Sequence, residues 1–210
     1  MDKLEENHYF VTPLYAVKKT EFLESVNAVS NRYLKLSKGC KVKNKVVVTM
    51  TANYSNESEI SNFTQYVSQT AWNILKAQGF NMTPLVTYFL EMWTQEHNHM
   101  SSMDQHVHGL GAQISAFFFL DTPKNGCKLV IHDPRPGKVI LNLPMESDEK
   151  ITQASTQIVF TPEPGTLIFM PSWVPHSFTR NVGKEPTRFV HMNLSVAMSS
   201  SKDEPEVEVI

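Results

Sequence analysis

Between Thr20 and Ser37 apolar side chains recur at helical spacing, and Phe22, Val26, Val29 and Tyr33 fall on one face. The spacing predicts a helix that stops at Gly39. A second stripe, Ile60, Phe63, Val67, Ala71 and Ile74, predicts a helix that starts near Asn56 and ends at Gly79, with Glu59 as a capping-box partner. Between them, Lys45–Thr51 is rich in β-branched residues and reads as a strand. From Pro84 onward the pattern changes, and short apolar runs alternate with Gly, Pro and Asn. Strands are expected at Leu85–Thr94, Gln113–Leu120, Cys127–His132, Val139–Leu141, Gln157–Phe160, Thr166–Met170 and Thr187–Val196. Many short strands at this spacing suggest a sandwich or jelly roll. The expected chain is mainly β with α: a helical part over residues 1–83 and a β core over 84–198, together one domain. The polar, acidic end, residues 199–210, is expected to be a disordered tail.

Composition narrows the class. Of 210 residues, 41% are hydrophobic and 19% charged, an ordinary globular balance. A chain of this length buries about 70% of its unfolded surface and needs no disulfide or structural metal to fold. The net charge of −2 argues against a protein that binds nucleic acid through bulk charge. The longest apolar run, Ile114–Leu120, interrupted by Ser115, is too short to span a bilayer. The opening MDKLEENHYF is charged and has no apolar stretch of the secretory kind, so a cytoplasmic location is expected. Without export, the Asn-x-Ser/Thr sites at Asn53, Asn56, Asn62, Asn81 and Asn193 carry no meaning. Cys40 and Cys127 are expected as free thiols of a reducing compartment.

Histidine is the odd residue in this composition. Eight are present, and His97, His99, His106 and His108 crowd one short stretch. In an extended segment residues i and i+2 point the same way, so His106 and His108 can reach one metal ion. His176 follows a turn bracketed by Pro171 and Pro175 and offers a third imidazole from a distant strand. Such a set, with open positions left over, suits Fe(II) that must also bind a co-substrate and O2. An H-x-H pair alone is weak evidence, since His97 and His99 form another. Those two sit in the polar stretch Gln95–Gln105, which reads as a loop, and are expected to be solvated. His132, beside Asp133, reads as a turn residue. Arg188 opens the last strand; if it points inward it needs an anionic partner, and its planar fork suits the carboxylate of a small acid. If it points outward it is an ordinary exposed strand residue.

Together these segments resemble a known family. The stretches are His106-Val107-His108, Ser115–Leu120, Gly126–Leu129, His132-Asp-Pro-Arg135, Pro164–His176 with its PSW-x-PH ending, and Thr187-Arg188. They are similar to the 2-oxoglutarate- and Fe(II)-dependent oxygenases, in the branch common in marine phages and bacteria. Phe10–Leu14 also looks like that branch's opening, so the resemblance runs from about residue 9 to residue 196. It implies a double-stranded β-helix, a jelly roll with helices packed on one sheet. It implies Fe(II), 2-oxoglutarate and O2, and hydroxylation of a substrate with release of succinate and CO2. His106 and His176 take the places of iron ligands, and Arg188 that of the residue pairing with the far carboxylate of 2-oxoglutarate.

Two positions depart from the pattern. The broader superfamily has an acid where this chain has His108. Either His108 completes a three-histidine site, or it leaves an extra open position, or an acid such as Asp133 approaches the metal; the i, i+2 spacing favours the first. Val190 stands where a Ser is common and removes one hydrogen bond toward 2-oxoglutarate. Phe117, Phe118 and Phe119 alternate in facing, so either one face lines the pocket and the other packs under the helices or all three are core, and Trp93 and Trp173 are placed at the mouth. The competing readings are a cupin-like metal- or small-acid-binding protein and an inactive jelly-roll interaction protein of a phage. The primary substrate, a peptide side chain or a small molecule, is not specified, and self-association stays open.

Overall fold

The computed structural model describes residues 4–38, 48–141 and 143–199. The expected stop at Gly39, Cys40, residues 45–47 of the expected strand, and the tail beyond Ser199 lie outside the described residues.

Ten strands and two helices follow in the order β1 (Tyr15–Lys18), α1 (Leu23–Lys38), β2 (Val48–Met50), α2 (Ser61–Ala77), β3 (Leu85–His97), β4 (Met103–His106), β5 (Ile114–Asp121), β6 (Leu129–His132), β7 (Gln157–Phe160), β8 (Thr166–Pro171), β9 (His176–Phe178) and β10 (Thr187–Met198). They form two antiparallel sheets, one ordered β1-β8-β5-β10-β3-β2 and the other β4-β9-β6-β7. This is the expected jelly roll. The part before residue 84 is not only helical: it supplies β1 and β2, the two edges of the larger sheet.

The helices form where the stripes place them. Each is led in by a short 3-10 turn, Thr20–Phe22 before α1 and Ser58–Ile60 before α2. Val26 and Val29 of the first stripe, and all of Ile60, Phe63, Val67, Ala71 and Ile74, are buried. At about 1.5–3 kcal/mol for each fully buried apolar side chain, these stripes dock the helices onto the sheet. Phe63 meets Phe118 with ring centroids 4.9 Å apart. Ser68 and Thr87 exchange hydrogen bonds, and the Trp72 indole donates to the Leu85 carbonyl at 2.8 Å, which ties α2 to β3. The capping-box partner is used otherwise: Glu59 accepts from Arg32 of α1 at 2.7 Å.

Strand β5 divides the two cores. Ala116, Phe118 and Leu120 pack under the helices, while Phe117 and Phe119 face the smaller sheet. The second cluster takes Ile168, Met170 and Phe189 from the large sheet and Leu129, Ile131 and Phe178 from the small one. Strand β10 obeys the same alternation: Val190, Met192 and Leu194 go to the helix side and Phe189 goes inward. The turn before β8 needs its glycine, since Gly165 has φ +83° and a Cβ there would lie 2.9 Å from Thr20 Cγ2.

Three sequence expectations need correction. Residues 139–141 are not a strand; a 3-10 turn runs over Pro136–Ile140, opened by a proline whose fixed φ suits it. Strands β1, β4 and β9 are three or four residues long and carry too little pattern to be read. Strand β3 continues through Gln95–His97, because β2 and β10 pair with it there. Cys127 is buried, and its thiol is free and pushed up to about 11 by burial. No helix among the described residues is long and apolar enough to cross a membrane.

Candidate metal centre

Pairing of β4 with β9 sets His106 directly opposite His176. His108 follows in the next loop, where its backbone N–H donates to Ser172 O at 3.0 Å. The result is three imidazoles whose ligand atoms all lie within 4.8 Å of one another. His106 and His176 each present the same tautomer for the same reason. Nδ1 of His106 donates to Asp104 O at 2.8 Å, and Nδ1 of His176 donates to Val174 O at 3.0 Å. A carbonyl can only accept, so the proton sits on Nδ1 and the Nε2 lone pair is left for a metal.

His108 is held differently. The Asn193 amide donates to its Nδ1 at 3.3 Å, and its Nε2 lies 3.3 Å from His176 Nε2. Asn193 in turn accepts from Ser115 Oγ at 2.8 Å and donates to Glu91 at 2.8 Å. Without metal, His108 therefore donates from Nε2 to His176. Burial pushes His176 down to about 3 and His108 down to about 4, with the neighbouring imidazoles adding to both. Both are neutral near pH 7, the form that binds metal. Neutral imidazoles at this spacing fit Fe(II), Zn(II) or Ni(II) alike.

Asp133 does not join them. Its carboxylate accepts from Arg135 at 2.8 and 2.9 Å and lies 3.1 Å from Lys138 Nζ. Those cations hold it well below the usual carboxylate range. His132 bonds Ser177 Oγ at 2.8 Å.

Arg188 is not brought to the histidines either. It shares the parity of Val190, Met192 and Leu194, the side that packs against the helices. Its Nε donates to Glu96 at 2.7 Å and an Nη donates to Asp121 at 3.3 Å, both cross-strand neighbours. Glu96 is fully buried. The partner demanded by a sheltered guanidinium is thus a pair of protein carboxylates. Replacing Arg188 by Met is expected to cost about 2 kcal/mol of stability, a buried-pair loss reduced for partial exposure. Metal content should not change; urea denaturation and metal analysis of the same preparation check both.

His97, expected to be solvated, is fully buried at the end of β3. It accepts from Gln95 at 2.8 Å, bonds Ser101 at 3.2 Å and packs beside the stacked rings of Phe178 and Phe189. The polar look of Gln95–Gln105 concealed a strand whose alternate side chains turn inward. His99 is exposed as expected and donates to Gly183 O.

His191 was missed. It lies on the inward side of β10, two residues from Phe189, and is almost wholly buried. Its ring stacks on Phe117 at 4.6 Å, touches Trp93 at 4.3 Å and meets His108 edge-on at 4.5 Å. Burial first, then the neighbouring imidazoles, hold it well below the ordinary histidine value. Counting by twos from Phe189 through His191 to Asn193 is the signal that would have found it. Trp173 is exposed in the turn that leads into His176.

The jelly roll with helices on one sheet is a double-stranded β-helix, and the three imidazoles that converge at one end could hold a metal ion. Residues 91–193 match the family described as "Putative 2OG-Fe(II) oxygenase", which identifies a 2OG-Fe(II) oxygenase domain in this chain. It is a 2-oxoglutarate-dependent Fe(II) oxygenase, an oxidoreductase.

The chain is similar in fold to a prolyl-4-hydroxylase of Pseudomonas putida, with TM-score 0.59 and 11% identity over 87% of this chain and 92% of that one. An oxidoreductase of the 2OG-Fe(II) oxygenase family from Burkholderia pseudomallei gives 0.58 and 11% over 87% and 84%. HygX from Streptomyces hygroscopicus, solved with nickel and 2-oxoglutarate bound, gives 0.54 and 10% over 88% and 83%. No curated protein sequence matches this one.

Proposed function

We propose that His106, His108 and His176 are the three protein ligands of Fe(II), and that the enzyme hydroxylates an apolar or uncharged group of a peptide side chain or small molecule. The observation that carries this is the convergence of three imidazoles within 4.8 Å. Two of them are fixed by backbone carbonyls with Nε2 left unprotonated. When bound, Fe(II) and 2-oxoglutarate supply the oxidising chemistry, and the co-substrate leaves as succinate and CO2.

The chain's own residues orient and shelter. Pairing of His106 with His176 across β4 and β9 sets two donors before any metal arrives, so little order is lost on binding. Phe117 packs edge-on to His176, its ring centroid 5.4 Å away, and keeps water from that side. Three neutral ligands leave the metal's full charge uncompensated, so an anionic co-substrate and the metal should bind in mutual support.

The rim favours an apolar substrate. Leu110 is fully exposed two residues past His108, and Trp173 is exposed before His176. A polyanionic nucleic acid would meet little positive charge there. A cytoplasmic setting suits the enzyme, because 2-oxoglutarate and Fe(II) are both available in it.

Anaerobic titration of the protein with Fe(II) and then 2-oxoglutarate tests the reading. A visible metal-to-ligand charge-transfer band is expected, with an apparent Fe(II) affinity that rises as 2-oxoglutarate is added. Metal binding with no band and no succinate under air would leave the cupin-like reading in its place.

A further inference from the structure

Beside the three ligands lie two ring nitrogens that find no partner among the described residues, Nε1 of Trp93 and Nε2 of His191. Buried polar atoms without partners are rare, and each asks for a ligand, an ion or a water. These two belong to rings in contact, and the His191 ring also meets that of His108. Both come from inward positions of adjacent strands, since Trp93 and His191 are direct neighbours in the pairing of β3 with β10.

The surroundings set the chemistry of what they bind. No Lys or Arg stands at an inward position of β5, β8, β10 or the Glu91–His97 half of β3. The cation nearest in sequence, Arg188, faces the other side and is engaged by Glu96 and Asp121. A carboxylate arriving here would find neutral N–H donors in a sheltered site, where hydrogen bonds to charge are strong.

We propose that His191 and Trp93 receive the far carboxylate of 2-oxoglutarate, each donating one ring N–H to it, in place of an arginine. The proposal rests on the Fe(II)- and 2-oxoglutarate-binding reading above. It makes His191 and Trp93 specificity residues: they distinguish 2-oxoglutarate from a 2-oxo acid with no second carboxylate.

Pyruvate is that acid, and the ratio of the two affinities isolates the anchor. Anaerobic Fe(II) protein is titrated with 2-oxoglutarate and with pyruvate, and binding is read from the charge-transfer band. The wild type should prefer 2-oxoglutarate. His191→Phe keeps a ring against Phe117, and it and Trp93→Phe should each weaken 2-oxoglutarate by about tenfold or more while leaving pyruvate and metal content unchanged. His191→Gln, which restores an N–H, should recover part of the preference, and Arg188→Met should leave it intact. A damaged fold would weaken both acids together and would show in the thermal melt; Trp93→Phe then carries the test. An unchanged ratio in His191→Phe and Trp93→Phe, or a collapse in Arg188→Met alone, would overturn the proposal while leaving the enzyme reading in place. No band in the wild type with either acid would instead sink that reading.

Discussion

A His176→Ala variant is expected to lose its metal and, with it, all 2-oxoglutarate-dependent succinate formation. His176 is fully buried, and its Nδ1–H to Val174 O aims Nε2 at the space shared with His106 and His108. Loss of an outer hydrogen bond to a metal ligand costs 10–100-fold in affinity, and loss of a ligand should exceed about 100-fold. With two imidazoles left, each ion stays mostly hydrated. His106→Ala is the companion variant: His106 is only half-buried, so its removal spares the core and should give the same loss of metal. His132→Ala is the control, since His132 bonds Ser177 and lies outside the group. Metal analysis after anaerobic loading, with succinate measured under air, checks all three. Full iron and turnover in His176→Ala would exclude the three-histidine site.

The second large effect is on stability in acid. His97, His176 and His191 are buried and neutral: burial pushes His97 down to about 4, His176 to about 3 and His191 well below its ordinary value. In the unfolded chain each takes up a proton near pH 6.5. The folded values lie lower, so acid protonates the unfolded state first and drains stability. The loss begins as pH falls below about 6.5 and, for His97, is complete near pH 4. His97 and His176 then account for about 3 kcal/mol each, and His191 acts in the same direction. A typical domain holds only about 5–15 kcal/mol, so the metal-free protein should lose most of its stability as pH falls to 4. Urea denaturation from pH 7 to pH 4 should show a falling midpoint. His97→Gln, which leaves the three ligands alone, should flatten it. A midpoint constant between pH 7 and pH 5 would contradict the burial argument. Fe(II), which selects neutral imidazoles, should move the collapse to lower pH.

Much of the fold can be read from sequence wherever one periodicity runs long enough. The stripes of α1 and α2 cover four and five turns, and Ile114–Leu120 buries both faces, so local pattern and final burial agree. Strands β4 and β9 are invisible for the opposite reason. Four and three residues carry no pattern of their own, and these strands exist because each pairs with a neighbour. They matter most for the site, since their pairing brings His106 to His176.

The site divides along the same line. His106, His108 and His176 stand out by residue type and spacing. His97 does not, because a polar neighbourhood looks like a loop until β2 and β10 extend β3 through it. Arg188 and His191 form the clearest contrast. An arginine at a strand start and a histidine three residues on differ by an odd number of positions, so they must face opposite sides of the sheet. Which side is inward depends on where the helices pack.

The sequence by itself therefore determined the chemistry available: three imidazoles spaced for a metal, β runs for a jelly roll and two amphipathic helices to cover one sheet. Tertiary structure decided which groups meet. It turned Arg188 toward Glu96 and Asp121, kept Asp133 with Arg135, and set His191 and Trp93 beside His108. The physical reason is strand parity. A side chain's type is local, but the face it presents is set by pairing and by the apolar cluster that claims its neighbours.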